Sequence, residues 1–402
     1  MVEYHESGRA AAVRDRAREL MDDVVVPAER EHAGGTVPDG VVAELREAAR
    51  DRDVYAPQVP ERFGGLGLDF REALPVFEEA GRSLLGPPAM RVDAPDQGNI
   101  DTILLAGTEA QKERWVPPLV EGEMASGFSM TEPMQGAGSD PKMIRTTAEK
   151  GGDEWVLTGH KWWTTNGVEA DLLLVMARTD EDRHPYAGCS IFLVPADADG
   201  VHVERNVPHL GPTLVPETHA EIVYDGVRVP EENLLGELND GFALAQRRLG
   251  PARLTHCFRF TGMAQRSLDV ASAYLAEREA FGSPLAEKTA LRHRLADAAT
   301  DLHAARTMVR HAAEKVADGE EARVEVSMSK VFAANVCNEA IDLAVQVCGG
   351  AGISRDLPLA DFYEAVRAFR IVDGADEVHR RVVAREVLGD PDPAELSNLP
   401  RF

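Results

Sequence analysis

Residues 154–178 read EWVLTGHKWWTTNGVEADLLLVMAR, in which two β-prone runs flank a short turn. Further runs of the same kind, CSIFLVPA, GVHVERN and AEIVYDGVRVP, follow before residue 236. Short strands between turn residues at this spacing are typical of a barrel or a sandwich. The stretch from about residue 124 to residue 236 therefore predicts a small all-β domain.

The sequence on both sides of this β region has helical periodicity instead. Before it, apolar side chains recur every three or four positions, and Asp69 and Thr108 precede two such runs as predicted N-cap residues. After it, breaks at glycine or proline separate helices predicted near 240–278, 287–318, 323–348, 358–369 and 375–388. Long helices joined by short loops form a bundle, here of about four helices. We therefore predict three domains, at 1–123, 124–236 and 237–402.

The composition is that of a folded, acidic protein. The 402 residues include 68 acidic and 43 basic ones, for a formal net charge of −25, which disfavours nonspecific nucleic-acid binding. No run of about 18 apolar residues predicts a membrane span. The four cysteines form no CxxC pair, and the first residues lack the apolar segment of a secretion signal. We expect a cytoplasmic protein with free thiols.

Common nucleotide, metal and nucleophile motifs are missing from the sequence. There is no GxxxxGK[ST], and no GxGxxG that follows a strand and opens a helix. No HExxH or Cys/His cluster predicts a metal site, and no GxSxG predicts a nucleophilic serine. The segment QVCGGAGIS, at 346–354, follows a helix and on local grounds is a helix C-cap with a turn.

Two segments of the β region carry candidate ligand-binding features. FSMTEPMQGAGSDP, at 128–141, leads from a strand into a loop that could hold a phosphate or a polar ring edge, or could be a β-bulge and loop only. GHKWWTTNG, at 159–167, places Trp162 and Trp163 on opposite faces of a strand. One tryptophan would belong to the core, and the other would face a flat cofactor or a packed helix.

Seven motifs in order, on this α-β-α layout, resemble the acyl-CoA dehydrogenase family of flavoproteins over nearly the whole chain. They are PERFGGLGLDF, GTEAQKERWVPPLVEGE, FSMTEP with GAGSD, GHKWWTTNG, GPARLTHCFRFTGMAQRSLDVASAYLAEREAFGSPL, AVQVCGGAGI and RIVDGADEVH. The resemblance implies a mostly α fold with a central β-barrel domain and a C-terminal four-helix bundle. It also implies FAD as cofactor, an acyl-CoA substrate, an electron-transferring flavoprotein as electron acceptor, and a homo-oligomer, either a dimer or a tetramer.

The resemblance also assigns residues to the ligands. The flavin would be lined by Phe128, Met130, Thr131, Trp163, Thr165 and, where most relatives have threonine, Ala375. Across the subunit interface, the adenosine diphosphate half of FAD would be held by Arg278, Phe281, Gln346, Gly349 and Gly350. Ser139 would contact FAD phosphate or the substrate. Arg253 would lie near the substrate, its alternative being a surface ion pair on a helix.

The catalytic acid is where this sequence differs from most relatives. They have Tyr-Glu-Gly-Thr where this chain has Val372-Asp373-Gly374-Ala375, and the second acid position of the family holds Ala252 here. Asp373 is therefore the candidate base, with a side chain one methylene shorter, and we expect burial to raise its pKa toward working pH. Asp376 and Glu377 are predicted to be solvent-facing residues of a helix first turn.

These assignments imply α,β-dehydrogenation of an acyl-CoA thioester to trans-2-enoyl-CoA. Asp373 would remove the α-proton while hydride passes from the β-carbon to flavin N5. Two alternatives remain open. One is a flavin oxidase or monooxygenase on the same fold, like nitroalkane oxidase or acyl-CoA oxidase, and the other is an FAD-binding protein without catalysis.

Overall fold

The computed structural model describes residues 7–389, without the side chain of Asp39, so the ends of the first and third predicted domains lie outside the described residues. The first part is helical, with a π-helical turn at Met21–Val25. Its α-helices are α1 Gly8–Leu20, α2 Val26–Glu31, α3 Asp39–Arg50, α4 Phe70–Ala80, α5 Gly86–Met90, α6 Asp96–Ala106 and α7 Glu109–Glu121.

Two helix starts of this part follow from local sequence. The Asp69 carboxylate accepts the Glu72 N–H at 2.8 Å, and the Thr108 hydroxyl accepts the Gln111 N–H at 3.2 Å. Both helices thus begin with a capping box, which confirms the predicted N-caps. Helix α7 continues through its two prolines and ends at Gly122, whose φ of 76° suits a glycine C-cap.

The middle part is a sheet of eight strands. They are β1 Ser126–Ser129, β2 Thr147–Gly151, β3 Glu154–Thr165, β4 Leu172–Arg178, β5 Cys189–Pro195, β6 Val201–Asn206, β7 His219–Pro230 and β8 Leu234–Leu235. The order is β6-β7-β3-β2-β4-β5-β8, with β1 parallel to β4. The mostly helical fold with a central sheet is therefore confirmed. Among residues 7–389, the end strands β6 and β8 do not pair with each other, so closure into a barrel is not shown.

Strand β4 shows how the sheet meets the helices. Leu172, Leu174 and Met176 belong to the large apolar core that includes the helices, whereas the alternating Leu173 and Val175 belong to a separate core inside the sheet domain. Both faces of the strand are buried, which explains its continuous apolar sequence. One face of β4 thus packs against the helical domains, and the other face packs inside the sheet domain.

The third part is a helical bundle, in which the sequence predicts the ends of every helix except the short α11 to within two residues. A short hairpin, β9 Glu279–Ala280 with β10 Ser283–Pro284, interrupts it. Its helices are α8 Gly241–Glu277, α9 Thr289–Ala317, α10 Arg323–Cys348, α11 Gly350–Ile353, α12 Leu359–Ala368 and α13 Asp376–Leu388.

Helix α10 is the centre of this bundle and packs on α8, α9, α12 and α13. By length and composition it is also apolar enough to cross a membrane, and 56% of its most apolar window is buried inside the protein. That burial is what a core helix of a bundle requires, so its composition is weak evidence for a membrane span.

The first and third parts join where α4 ends against α8. A β-carbon at Gly81 would collide with the backbone of Arg259, and one at Gly262 would collide with the backbone of Glu78. Glycine at both positions permits the two helices to touch backbone to backbone. This contact fixes the segment of α8 that carries the candidate site.

Candidate active site

The loop that follows β1 is organised by a buried ion pair. Lys161 of β3, fully buried, donates to Glu132 Oε1 at 2.9 Å and to the Met130 carbonyl oxygen at 3.0 Å. The Glu132 carboxylate also accepts four bonds from N–H and hydroxyl groups of residues 137–146. Burial raises the pKa of Glu132, but Lys161 and these bonds outweigh it and leave that pKa below its usual range. The ion pair therefore fixes FSMTEP against GHKWW.

Trp163 departs from the regular alternation of β3. The pairing of β3 with β7 shifts between Lys161 and Thr164, and Trp163 has a φ of 60°. The rings of Trp162 and Trp163 therefore lie in contact, 5.5 Å between centroids, and the predicted placement on opposite faces is wrong because a bulge interrupts the strand. Trp163 is 38% exposed. The bulge thus turns an aromatic ring outward from the sheet.

Two histidines border this exposed ring. The centroids of the His209 and His219 rings lie 6.0 Å and 5.2 Å from that of Trp163, and Thr165 Oγ1 is 3.1 Å from His219 Nδ1. Burial lowers the pKa of His219 to about 4, so its imidazole is neutral at neutral pH. A cavity of about 250 Å³, lined by residues from 206 to 217, opens beside His209. The Trp163 side of the sheet is therefore an aromatic surface beside open space.

The segment after β1 lies next to the same surface. The Thr131 carbonyl accepts the Trp162 N–H at 2.8 Å, and Phe128 is half-buried with the Arg248 guanidinium 4.2 Å from its ring centroid. Arg248 belongs to α8 and donates to Asn99 Oδ1 at 3.1 Å. The predicted flavin residues of β1 and of the loop after it are thereby brought next to those of β3.

The predicted base lies on a turn that three donors hold by its backbone. Asp373 has a φ of 54°, a left-handed conformation that is uncommon outside glycine. Its carbonyl accepts Arg253 Nε at 2.8 Å and lies 3.2 Å from His379 Nε2, and Lys330 Nζ donates to the Gly374 carbonyl at 2.8 Å. Arg253 therefore holds the Asp373 turn, and its alternative as a surface ion pair is wrong.

Gly374 is required by this turn. Its φ is 103°, and a β-carbon there would lie 2.8 Å from His379 Nε2. Burial, with the charges of Arg253 and Lys330, lowers the pKa of His379 to about 4, so the neutral imidazole can donate from Nε2 to the Asp373 carbonyl. The Ser327 hydroxyl lies 3.2 Å from the other ring nitrogen, which fits that tautomer.

The Asp373 carboxylate is half-buried among cationic and imidazole groups. Its Oδ2 is 2.8 Å from His256 Nδ1. Burial raises the pKa of Asp373, but His256, Arg248 and Arg253 outweigh it and hold the pKa well below its usual range. The prediction of a raised pKa is wrong because it counted burial without these partners. Asp373 is ionised at neutral pH and ready to accept a proton.

The remaining predicted cofactor residues, the second group, lie on two exposed segments of the C-terminal part. Arg278 and Phe281 lie around the β9–β10 hairpin, and Phe281 is 97% exposed with a φ of 54°. Gln346, Gly349 and Gly350 lie exposed at the end of α10, where Gly349 has a φ of 59°. The described residues record no hydrogen bond or ring contact between this group and the residues around Trp163 and Asp373.

Two further predicted residues, Ser139 and Ala375, lie in different places. Ser139 is exposed in the loop after β1, and Ala375 is the N-cap residue of α13. Within residues 7–389, no hydrogen bond joins Ser139 to the residues around Asp373. Ala375, two residues after Asp373, continues the same turn.

Asp376 and Glu377 differ in burial, although both were predicted to face solvent. Glu377 is exposed, as expected, but Asp376 is buried and accepts from Arg370 Nε at 2.9 Å and from Asn335 Nδ2 at 3.1 Å. The prediction of a solvent-facing Asp376 is wrong because α10 covers this side of the first turn of α13. Asp376 therefore anchors the turn that carries Asp373.

Sequence reasoning missed four residues of the site. His256 and Arg248 contact or polarise the Asp373 carboxylate, while His379 and Lys330 hold its backbone. Only His256 left a signal, because it follows Arg253 by three positions and so shares its helix face. Lys330 lies in an apolar helix and gives no pattern by which its target could be read.

The residues around Trp163 fit a flat aromatic group such as a flavin. Trp163 offers an exposed ring next to open space, and the buried indole N–H of Trp162 has no hydrogen-bond partner in the part of the chain that the structure describes. Buried donors without partners are uncommon in folded proteins. Within residues 7–389, no group of three or more His, Cys, Asp or Glu side chains is placed to hold a metal ion.

Comparison with known proteins gives the same family throughout the chain. Residues 8–123, 127–227 and 239–388 match the family profiles "Acyl-CoA dehydrogenase, N-terminal domain", "middle domain" and "C-terminal domain". The chain is 38% identical over 401 residues to "Probable acyl-CoA dehydrogenase FadE2" of Mycobacterium tuberculosis, covering 96% of this chain and 97% of that protein.

Two other comparisons extend this finding. A solved structure described as a putative acyl-CoA dehydrogenase from Mycobacterium abscessus is 37% identical, with a TM-score of 0.89 over 96% of this chain and 99% of that one. "Acyl-CoA dehydrogenase family member 11" of Gallus gallus is 34% identical over 96% of this chain, which spans only 51% of that longer protein. The chain therefore belongs to the acyl-CoA dehydrogenase family of flavin-dependent oxidoreductases.

Proposed function

We propose that the protein is an FAD-dependent acyl-CoA dehydrogenase that converts an acyl-CoA thioester to trans-2-enoyl-CoA with Asp373 as the base. The observation that supports this most is the placement of Asp373. Its carboxylate is half-buried and ionised at neutral pH, and its turn is held by Arg253, His379 and Lys330. A carboxylate held in one place beside cationic groups suits removal of a weakly acidic proton from a bound thioester.

The residues that would hold FAD lie on β1, in the loop directly after it, and on β3: Phe128, Met130, Thr131, Trp163 and Thr165. Bound FAD would supply the acceptor for the hydride that leaves the β-carbon. The Glu132–Lys161 ion pair fixes the two segments that carry these residues. Their role in this chain is thus to orient a flat ring over one face of the sheet, while Asp373 lies on the turn before α13.

Asp373 performs the proton step. The α-carbon–hydrogen bond breaks, the proton passes to a carboxylate oxygen of Asp373, and the electron pair stays with the thioester as enolate-like charge. Arg253 and His379 hold the Asp373 carbonyl and so fix the backbone of the turn from which the carboxylate extends. A catalytic group on a backbone that is fixed in advance needs less reorganisation during the reaction.

The exposed group around Phe281 and Gly349 supports a homo-oligomer. Phe281 is almost fully exposed, and Arg278 lies three residues before it. We propose that this group holds the adenosine diphosphate half of the FAD bound to a neighbouring subunit, since arginine binds diphosphates through paired hydrogen bonds. Light scattering of the FAD-bound protein tests this, and a monomer that binds FAD fully would contradict it.

The substitution Asp373→Asn tests the base directly. We expect the variant to retain FAD but to slow flavin bleaching by acyl-CoA about 10²- to 10⁴-fold, because an amide cannot accept the α-proton. Glu377→Gln is the matched control, since Glu377 is an exposed acid on the first turn of α13. Normal turnover by Asp373→Asn would show that another group is the base.

The electron acceptor separates this proposal from an oxidase. After anaerobic reduction by acyl-CoA, we expect the flavin to be reoxidised slowly by air and quickly by an electron-transferring flavoprotein. Fast reoxidation by oxygen would favour the oxidase alternative. Failure of every acyl-CoA thioester from C4 to C20 to bleach the flavin would exclude the dehydrogenase.

A further inference from the structure

The Asp373 carboxylate has a side-chain neighbour, His256, that has no role in the proton step described above. His256 lies on α8, three residues after Arg253, and its Nδ1 is 2.8 Å from Asp373 Oδ2. The two side chains are 16% and 20% exposed. Neither atom has another hydrogen-bond partner in the described part of the chain, so the 2.8 Å contact is the polar contact available to each.

The surroundings of His256 favour its neutral form. Burial and the charges of Arg259 and Arg248 lower the pKa of His256, against the opposite effect of Asp373. The rings of Phe260 and Phe369 lie on the apolar side, each with its centroid 6.5 Å from that of the imidazole. A neutral imidazole with its proton on Nδ1 can donate a hydrogen bond to the Asp373 carboxylate without forming an ion pair with it.

We propose that His256 is a positioning residue for the Asp373 carboxylate. The Nδ1–H of its imidazole directs Oδ2 and leaves Oδ1 to take the α-proton of the substrate. This inference rests on the proposed function, in which Asp373 is the base. It accounts for an aspartate in this position, since the carboxylate is held at its oxygen as well as through the turn.

The physical need for such a contact follows from the length of the side chain. Aspartate has one methylene fewer than the glutamate of most relatives, so an error in its orientation cannot be corrected by a further rotatable bond. Misplacement of a catalytic group by about 1 Å can cost about 100-fold in rate. Arg253, Lys330 and His379 fix only the backbone of the turn, whereas His256 contacts the carboxylate itself.

Two substitutions separate the donor from the bulk of the side chain. His256→Asn keeps an amide N–H at the position of Nδ1, and His256→Leu fills a similar volume without a donor. We expect His256→Leu to slow removal of the α-proton about 10- to 100-fold and His256→Asn to stay within about threefold of the original protein. His256→Gln, whose amide corresponds to Nε2, is the alternative non-donor variant if His256→Leu does not fold.

The assay measures proton removal without hydride transfer. Acetyl-CoA has no β-carbon, so its incubation with the FAD-bound enzyme in D₂O reports only exchange at the α-carbon, followed by mass spectrometry. FAD content and the unfolding temperature of each variant show whether the fold is retained. The exchange rate is measured against pH, and its fall at low pH, the acid limb, reports protonation of Asp373. Removing His256 takes away a partner that lowers the pKa of Asp373, so the acid limb should move to higher pH.

The groups around the pair that also titrate or carry charge are Arg248, Arg253, Arg259, Lys330 and His379. They are the same in all variants, so a shift of the acid limb reports the loss of His256. Exchange by the non-donor variant within about twofold of the original protein, with an unshifted profile, would overturn the inference. So would a folded His256→Asn as slow as His256→Leu.

The outcome also tells this inference from the proposed function. If exchange depends on Asp373 and not on His256, the positioning role fails and the base assignment stands. If the original protein and Asp373→Asn exchange equally, both fail. Slow exchange and a shifted acid limb in the non-donor variant, with recovery in His256→Asn, support the positioning role.

Discussion

Replacing Lys161 by methionine tests whether the buried ion pair with Glu132 holds the flavin-side loop. Removing one partner of a buried ion pair costs about 3–5 kcal/mol, because the other charge stays buried without compensation. Here the Glu132 carboxylate keeps its four bonds from residues 137–146, whereas the Met130 carbonyl loses the Lys161 ammonium. We therefore expect a loss near the lower end of this range, about 3 kcal/mol.

The loss is measured as the change in the free energy of unfolding by urea, followed by tryptophan fluorescence in the FAD-bound protein. Lys150→Met is the matched control, because Lys150 pairs with Glu231 on the surface at 2.9 Å and should cost no more than about 1 kcal/mol. The double variant Lys161→Met with Glu132→Gln should recover part of the loss, since it removes the stranded charge. Lys161→Met with a stability within about 0.5 kcal/mol of the original protein would refute the reasoning.

Two further predictions concern the turn that carries the base. Gly374→Ala should cost about 1–3 kcal/mol and slow flavin bleaching, because its φ of 103° and the nearby His379 leave no room for a β-carbon; unchanged thermal unfolding and activity would contradict this. The pKa of His379 is 6.5 in its ordinary state and about 4 in the fold, so the unfolded chain binds its proton more readily as pH falls below about 6.5. Stability should drop by about 2 kcal/mol for this group between about pH 7 and about pH 5, and His379→Asn should flatten that dependence in urea titrations at several pH values; equal slopes would exclude His379 as the cause.

Local pattern was enough to predict the long helices of the bundle and two helix starts. The N-caps at Asp69 and Thr108 and the ends of the bundle helices depend on residues within one turn, so their sequence signals are complete. The bulge at Trp163 gave no such signal, because a tryptophan at positive φ is held by the pairing of β3 with β7. Alternation along a strand predicts the face on which each side chain lies only where the pairing with the next strand stays in register.

In the site as well, neighbouring residues in the sequence identify a candidate, whereas its environment depends on residues far away in the chain. Asp373 could be singled out from its sequence neighbours, but the sign of its pKa shift could not. Burial alone predicts a raised pKa, and the groups that reverse it, His256, Arg248 and Arg253, come from α8, more than 100 positions earlier in the chain. Asp376 was misjudged for the same reason, since its partner Asn335 lies on α10.

The lowered pKa changes what limits the proposed base. A carboxylate whose pKa is low is fully ionised at neutral pH but is a weaker base, so its rate of proton removal depends on placement more than on basicity. The structure provides placement at two levels, with Arg253 and His379 on the Asp373 carbonyl and His256 beside its carboxylate. A short acid is compatible with this arrangement because its position is set by contacts at both ends of the residue. If Asp373 is the base, its shorter side chain requires the substrate α-carbon to lie close to Oδ1, the oxygen that His256 does not contact.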